Sequence, residues 1–317
     1  MESAKIPSAL FGSESQKLKI GNVSFSCYLL DNGQRVLLKN SIPKVFGYDG
    51  KSENWLFEFL MHINRLTPVE PVILEALGKD IVFQVKSGEN YTKKMGISPN
   101  LFLEACRTIV QANIDGFLYM SEHRFAKAAE TILKEVADAD IEQLIDYATG
   151  YELYKQNHKE ALARHMAANG ETYGVWVKSF PDSFFRIVFL YKNWGWKNLN
   201  TDAPAFASFL NDIVFSRVSD DLFHEIGRTK PRMQYRKKNT PEQYIEHPEL
   251  RAHLQTISGL MTASGNDEAV FEQLLSRTFP QVRNMGGTSA KKDVGQNADA
   301  TFNIFNDSIH RALHRKK

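Results

Sequence analysis

The first 96 residues alternate between short apolar runs and polar turns, a pattern typical of β-hairpins. The runs "LKI", "VSFSCYLL" and "RVLLK" lie between Leu18 and Lys39, and Asp31-Asn32-Gly33-Gln34 joins the last two. Asn-Gly at this place predicts a hairpin with a type I′ turn, because both residues tolerate a positive φ. "IVFQVK" and "NYTKKM", separated by residues 87–89, predict a second hairpin.

From residue 98 onward the apolar positions recur every three or four residues, which predicts helices. Ser98-Pro99 is a helix start, and further helices are predicted from Ser121, from Asp140 and on both sides of Gly150. Later ones are predicted in "FPDSFFRIVFLYK" and from residues 204, 219, 240, 248 and 267. Seven aromatic residues of this region are expected in a common core: Trp176, Phe180, Phe184, Phe185, Phe189, Trp194 and Trp196.

The pattern therefore predicts an α+β protein, with a small hairpin-rich amino-terminal region (residues 1–96) followed by a large, mainly helical domain (97–280). Residues 281–301 are polar and rich in glycine and asparagine, which predicts a linker. An amphipathic, basic tail helix is predicted over residues 302–317. Its apolar stripe needs a partner, and we expect a contact in a homo-oligomer through Phe302, Phe305, Ile309 and Leu313.

Composition narrows the class of protein but does not name a partner. The chain has 317 residues, 43% of them hydrophobic, and its net charge is only +2, so any electrostatic function must come from local clusters. Two cysteines, Cys27 and Cys106, are too few for a disulfide framework, which favours a reducing compartment. No run of about 18 uncharged apolar residues occurs. We expect a cytoplasmic protein without a membrane partner.

Residues 144–152, "LIDYATGYE", admit two interpretations. Asp146 and Tyr151 could line a binding groove. Alternatively, Gly150 ends one helix in the left-handed conformation, and Thr-Gly-Tyr is a corner between two helices. The corner explains Thr-Gly without any ligand and is the favoured interpretation.

Six stretches resemble the P-sixty-three-C domain family of phage and bacterial proteins. They are "CYLLDNGQRVLLKNSIPKVFG", "LIDYATGYE", "WVKSFPDSFFRIVFLYKNWGW", "NDIVFSRV", "HPELRAHLQTISGLM" and "FEQLLSRTFP", in the family's order from about Leu18 to Pro280. The family is associated with DNA-binding regulators and antirepressors of phages and mobile elements, so the resemblance implies a DNA-associated setting. "LLDNGQRVLLKNSIPKVFGY" also resembles amino-terminal DNA-binding domains of phage and baculovirus repeated-ORF regulators.

A cluster of cations stands out in the second half of the chain. Residues 228–238, here called the basic segment, contain six cations and no acid. Such a segment can neutralise phosphates, and a tyrosine within it can stack on an unpaired base. The alternative is an ordinary solvated loop. The predicted nucleic-acid-binding residues are Arg228, Lys230, Arg232, Tyr235, Arg236, Lys237 and Lys238.

Catalytic and metal motifs are weak. Family members carry histidines near the basic segment where this chain has lysines, so the resemblance does not imply a metal there. Asp80 and Glu75 near Gln84 and Lys86 distantly resemble a metal-dependent nuclease core, but Gln84 replaces a carboxylate. His310 and His314 have helical ligand spacing without a third ligand. Neither a phosphate-binding glycine loop nor a nucleophile motif occurs, so no cofactor and no small-molecule substrate are predicted.

The sequence thus favours a non-enzymatic, DNA-associated regulator of phage or mobile-element type. The alternative is an oligomeric interaction module, an adaptor or inhibitor whose tail helix makes the important contact and whose basic segment is solvated. A metal-dependent nuclease remains a remote third alternative.

Overall fold

The computed structural model describes residues 6–137, 139–231, 247–265 and 267–284. Within these ranges the protein is α+β, as predicted. Six strands form a sheet in the amino-terminal part, and every named element after Ile97 is helical.

The sheet is built from antiparallel neighbours in the order β1-β3-β4-β6-β5, with β2 beside β3. Cys27 and Leu37 on β3 and β4 face one side, where they join the main amino-terminal core, while Tyr28 and Val36 face the other. Because both faces are covered, β3 reads as an almost continuous apolar run. The strands are β1 (Ala9–Phe11), β2 (Lys17–Ile20), β3 (Val23–Leu30), β4 (Arg35–Leu38), β5 (Ile81–Ser87) and β6 (Asn90–Ile97).

The two ends of this strand order meet, so the sheet closes on itself. Ser8 forms a parallel bridge with Gln84, and the Gln84 backbone N–H donates to the carbonyl oxygen of Pro7 over 2.9 Å. Closure protects backbone groups that an open edge would leave unpaired. Five buried side chains fill the enclosed space: Tyr28, Leu30, Val36, Leu38 and Phe83.

Both predicted hairpins form, but the prediction of a type I′ turn in the first is wrong. Gly33 has a φ of +84°, whereas Asn193 is the only non-glycine residue with a positive φ in the described ranges, so Asn32 keeps a negative φ. The Asn32 side-chain oxygen accepts from the Gln34 backbone N–H over 3.1 Å. This local acceptor allows the loop to reverse with one left-handed residue instead of two.

The helices begin and end at residues whose chemistry explains the boundary. Pro99 is the first residue of α4, and the Ser219 hydroxyl accepts from the backbone N–H of Leu222 at the start of α11. Gly150, at a φ of +80°, separates α6 from α7. The helices are α1 (Ile42–Val45), α2 (Trp55–Ile63), α3 (Pro71–Leu77), α4 (Pro99–Ile114), α5 (His123–Val136), α6 (Ile141–Ala148), α7 (Tyr151–Ala168), α8 (Asp182–Lys192), α9 (Asn198–Thr201), α10 (Ala203–Leu210), α11 (Asp220–Arg228), α12 (Pro248–Ala263) and α13 (Glu268–Thr278).

Buried apolar side chains form two large cores. The first runs from Leu18 to Ile145, so the sheet and helices α1–α6 share one interior. The second runs from Leu162 to Leu275 and contains the predicted aromatic residues, with Trp194 and Trp196 partly buried at its edge. Helix α7 follows directly after α6, which packs on the first core, and α7 enters the second core at Leu162. None of the described helices combines the length and apolarity needed to cross a bilayer.

Candidate functional site

The base of the basic segment is the carboxyl end of α11. Leu222 and Ile226 bury one face of this helix, and the backbone N–H of Thr229 donates to the carbonyl oxygen of Glu225 over 3.0 Å. Arg228 and Lys230 follow on the exposed side. Cations at this end of a helix are favoured by its dipole. The helix therefore presents the first two cations of the segment to solvent.

The chain on both sides of the basic segment is held at one tryptophan. The Trp176 indole N–H donates to the carbonyl oxygen of Ile226 over 2.8 Å, and the His247 ring lies edge-on to the same indole with centroids 6.2 Å apart. His247 Nε2 is also 3.1 Å from a carboxylate oxygen of Glu225. The described chain before the segment, at Ile226, and after it, at His247, therefore meets at the same indole.

Only part of the predicted binding set falls within the described residues. Arg228 and Lys230 are exposed and make no ion pair with any residue that the structure describes. Nine predicted residues lie outside those ranges: Arg232, Tyr235, Arg236, Lys237 and Lys238 in the basic segment, and Phe302, Phe305, Ile309 and Leu313 in the tail.

A buried group of charges, here called the charge cluster, joins the sheet to the helical body. It consists of Arg35, Asp146, Glu152, Lys155, Lys159 and Asp182. Arg35 on β4 binds Asp146 on α6 with two parallel hydrogen bonds, from Nε over 2.9 Å and from Nη2 over 2.8 Å. This bidentate geometry is among the strongest ion pairs in proteins. It fixes α6 against the sheet.

The two lysines of the charge cluster lie one turn apart on α7 and share Asp182. Lys155 Nζ is 3.2 Å from Asp146 and 2.6 Å from Glu152, and it also contacts Asp182. Lys159 Nζ donates to Asp182 over 2.6 Å and to the carbonyl oxygen of Phe180 over 2.9 Å. The carboxylate at the start of α8 therefore ties that helix to α7.

Burial and charge pull the pKa values of these groups in different directions. Burial lowers the pKa of Lys159, against the opposing effect of Asp182. Burial also disfavours the charged form of Lys155, but Asp182, Glu152 and Asp146 outweigh it and raise that pKa. For Asp182, burial alone would raise the pKa, yet the two lysines lower it. The six residues of the cluster are three cations and three carboxylates, and Glu142, 4.0 Å from Arg35, is a further acid at its edge.

The stretch "LIDYATGYE" is the corner between α6 and α7, and it supplies two members of this cluster, Asp146 and Glu152, and one neighbour, Tyr151. Asp146 is buried, and the Tyr151 ring lies 5.0 Å from Lys155 Nζ and 5.0 Å from the Phe11 ring. The left-handed glycine predicted at position 150 is confirmed. Asp146 is engaged by Arg35 and Lys155 and does not face an open groove.

The residues considered for a nuclease do not converge. Asp80 pairs with Lys39, Glu75 pairs with Lys79 over 2.5 Å, and the Gln84 side-chain amide donates to the Ser8 hydroxyl over 2.8 Å. Lys86 is exposed further along β5. Among the described residues, histidine, cysteine and acidic side chains do not gather in any group of three able to hold a metal ion.

A polar cleft of about 1000 Å³ lies beside β3 and the segment from Tyr48 to Glu53. Its lining is balanced in charge and so does not select for an anion. The charged residues are Lys17, Lys44, Lys51, Glu14, Asp49 and Glu53.

The second core and the basic segment are also where the chain is similar to a known family. Residues 162–248 match the P-sixty-three-C domain. The P-sixty-three-C match begins where α7 enters the second core and ends just after His247, so it includes the base of the basic segment. Of the six quoted stretches, those from Trp176 to Trp196 and from Asn211 to Val218 lie wholly inside it. Searches of curated proteins and of solved structures found no match.

The charge cluster is a feature that the sequence reasoning missed. One signal was available, since Lys155, Lys159, Leu162 and Met166 follow each other at helical spacing and all are buried on α7. Two lysines in line with an apolar stripe indicate buried partners, because a lysine is rarely buried without one.

Proposed function

We propose that the protein is a cytoplasmic, non-enzymatic regulator of phage or mobile-element type that associates with DNA through its basic segment. The observation that carries the proposal is the exposure of Arg228 and Lys230 at a base fixed by Trp176. The P-sixty-three-C match over the same region supports this setting. The sequence of the basic segment contains six cations, which suit the phosphate backbone that dominates the affinity of most DNA-binding proteins.

The test is fluorescence anisotropy with mixed-sequence duplex and single-stranded DNA over a salt series. The wild type is compared with the triple variant Arg236→Ala, Lys237→Ala, Lys238→Ala. A matched control removes three exposed cations elsewhere, with Lys127→Ala, Arg164→Ala and Lys197→Ala.

Each lost phosphate contact reduces the slope of log affinity against log salt by about 0.9 on duplex DNA, so the triple variant is expected to lose about 2.7. The control variant should keep the wild-type slope. Absence of wild-type binding at low salt refutes the proposal. Magnesium-dependent cleavage that disappears in Lys86→Ala would support the nuclease instead.

The second candidate function is an oligomeric interaction module, and an exposed apolar surface favours it. From the end of α4 into the connection to α5, Ile114 is 70% exposed, Tyr119 60% and Met120 89%, and Phe117 lies between them in the sequence. Exposed apolar residues grouped in this way often mark a protein contact. This function predicts that removing the residues after Pro280 changes the number of chains per particle, measured by light scattering. DNA affinity should stay weak and unchanged.

A further inference from the structure

The second hairpin extends beyond the rest of the sheet. Its strands pair continuously from Ile81 opposite Gly96 to Ser87 opposite Asn90, whereas β4 pairs with β6 only at Gly96 and Ile97. On the other side, the bridge from Ser8 reaches β5 at Gln84. In the described structure, residues 85–92 therefore form strand pairs only with each other, and these residues together with Lys93 and Lys94 make up the projecting end of the hairpin. We call them the hairpin arm.

Solvent surrounds the distal part of the hairpin arm. Every residue from Lys86 to Lys93 is exposed, a run of eight that includes both sides of the turn at Gly88. Side chains on only one face of a strand are exposed when the strand packs on a core, because successive residues point to opposite faces. Exposure of consecutive residues means that this part of the hairpin stands clear of the body.

One face of the hairpin arm carries cations and a tyrosine. Lys86 lies directly opposite Tyr91, and Lys93 follows Tyr91 two residues later on the same face. Tyr91 is 56% exposed, and neither Lys86 nor Lys93 makes an ion pair with a described residue. The single acid of the arm, Glu89, lies in the turn, and Lys94 pairs with Glu14 over 2.8 Å. The arm is thus a cationic projection.

We propose that the hairpin arm is a second DNA contact, which enters the major groove of a duplex. This inference rests on the proposed function, because it adds a surface to the same DNA-associated activity. A two-stranded antiparallel ribbon fits the major groove, which is about 12 Å wide. Beyond Gln84 the arm has three paired residues in each strand, which at roughly 3.3 Å per residue is about 10 Å, and the turn at Gly88 adds to this length. Lys86 and Lys93 bind phosphates at the groove edge, and the Tyr91 hydroxyl hydrogen-bonds to a base edge.

The composition of the hairpin arm favours nucleic acid over a protein partner. From Lys86 to Lys93 the residues are Lys-Ser-Gly-Glu-Asn-Tyr-Thr-Lys, so Tyr91 is the only large apolar side chain. The part of a protein surface that becomes buried at the centre of an interface is enriched in aromatic residues and methionine and depleted in lysine. The apolar surface around Met120 has that composition, and the hairpin arm does not.

The test uses the full chain and a fluorescent mixed-sequence duplex of about 30 base pairs, with a single strand of the same sequence beside it. Lys86→Ala with Lys93→Ala is compared with the exposed pair Lys127→Ala with Lys197→Ala, which removes the same charge elsewhere. Losing two phosphate contacts should reduce the duplex slope by about 1.8 and weaken binding on the order of 60-fold at 0.1 M salt. Tyr91→Phe should reduce duplex affinity without changing the slope.

The outcomes separate this inference from the proposed function. If the wild type binds duplex and the variant at residues 86 and 93 behaves like its control, the hairpin arm is not a contact, although the basic segment still can be. If the slope of that variant falls by the expected amount while the slope of the triple variant at residues 236–238 does not change, the arm is supported as a DNA contact. Residues 236–238 are then excluded as one. Absence of wild-type binding refutes both, and a larger loss on single strands than on duplex refutes groove entry.

Discussion

Asp182→Asn removes the carboxylate on which the charge cluster converges while keeping the size of the side chain. Lys155 retains Asp146 at 3.2 Å and Glu152 at 2.6 Å, so its charge stays compensated. Lys159 is 1% exposed, loses the carboxylate oxygen at 2.6 Å and keeps the carbonyl oxygen of Phe180. The cost of the substitution therefore comes mainly from a buried ammonium that has lost its hydrogen-bonded carboxylate.

Removing one partner of a buried ion pair typically costs about 3–5 kcal/mol. Asp182 retains some contact with solvent, with a side-chain exposure of 24%, so we expect the lower end, about 3 kcal/mol. The assay is urea unfolding followed by tryptophan fluorescence, because the Trp196 ring lies 5.5 Å from Lys159 Nζ. Glu75→Gln is the control, since it breaks the exposed pair with Lys79, and it should cost no more than about 0.5 kcal/mol.

A double variant tests the physical reason directly. Adding Lys159→Met to Asp182→Asn removes the buried cation together with its partner, so the double variant should be more stable than Asp182→Asn alone. The reasoning is refuted if Asp182→Asn costs less than about 1 kcal/mol or if the two substitutions destabilise additively.

Three further predictions concern single residues. Burial lowers the pKa of His253 to about 4, with Arg217 adding to the shift, so the folded state takes up a proton less readily than the unfolded state, and stability is lost as pH falls below about 6.5. Urea unfolding at pH 7 and 4.5 should show a loss of about 2.5 kcal/mol that His253→Phe largely abolishes; an equal loss in the variant would contradict this origin. Gly174→Ala would place a Cβ 2.5 Å from the Met166 Cβ and should cost about 1–3 kcal/mol, whereas Gly195→Ala, with open space around it, should be neutral in the same assay; equal effects would show that crowding is not the cause. Arg35→Lys loses the bidentate geometry toward Asp146 and should lower the free energy of unfolding by about 1–2 kcal/mol; an unchanged value would show that this geometry is not important for stability.

Turns and helix boundaries that depend on a few adjacent residues can be predicted from the sequence. The glycines at positions 33 and 88 mark the two hairpins, and Ser98-Pro99 and Gly150 mark helix boundaries that the structure contains. The pattern does not predict β1, because a strand of three residues carries too little alternation to recognise. The prediction of a type I′ turn is wrong because a hydrogen bond to the Asn32 side chain stabilises a different loop conformation. The Asn-Gly pair alone does not specify this hydrogen bond.

The ion pairs of the charge cluster cannot be predicted from adjacent residues. Its first pair joins Arg35 to Asp146, which are 111 residues apart, and another joins Lys155 to Asp182 across 27 residues. A single sequence contains many acids and bases and does not state which of them meet. The spacing of the two lysines on α7 indicates that they are buried, but the identity of their partners depends on how α6, α7 and β4 pack.

Helix α7 determines where a foreign amino-terminal module can be joined to the rest of this protein. Its first turns contact Phe11 through Tyr151 and Tyr154, and its last turns belong to the second core. Because a helix is stiff, α7 fixes the orientation of the residues before the P-sixty-three-C match relative to the match itself. A chimaera that joins a foreign amino-terminal module at Leu162 would lose Lys155 and Lys159, which are the cations that pair with Asp182. A junction at Gly150 keeps both lysines, and Lys155 then loses Asp146 but retains Glu152 and Asp182.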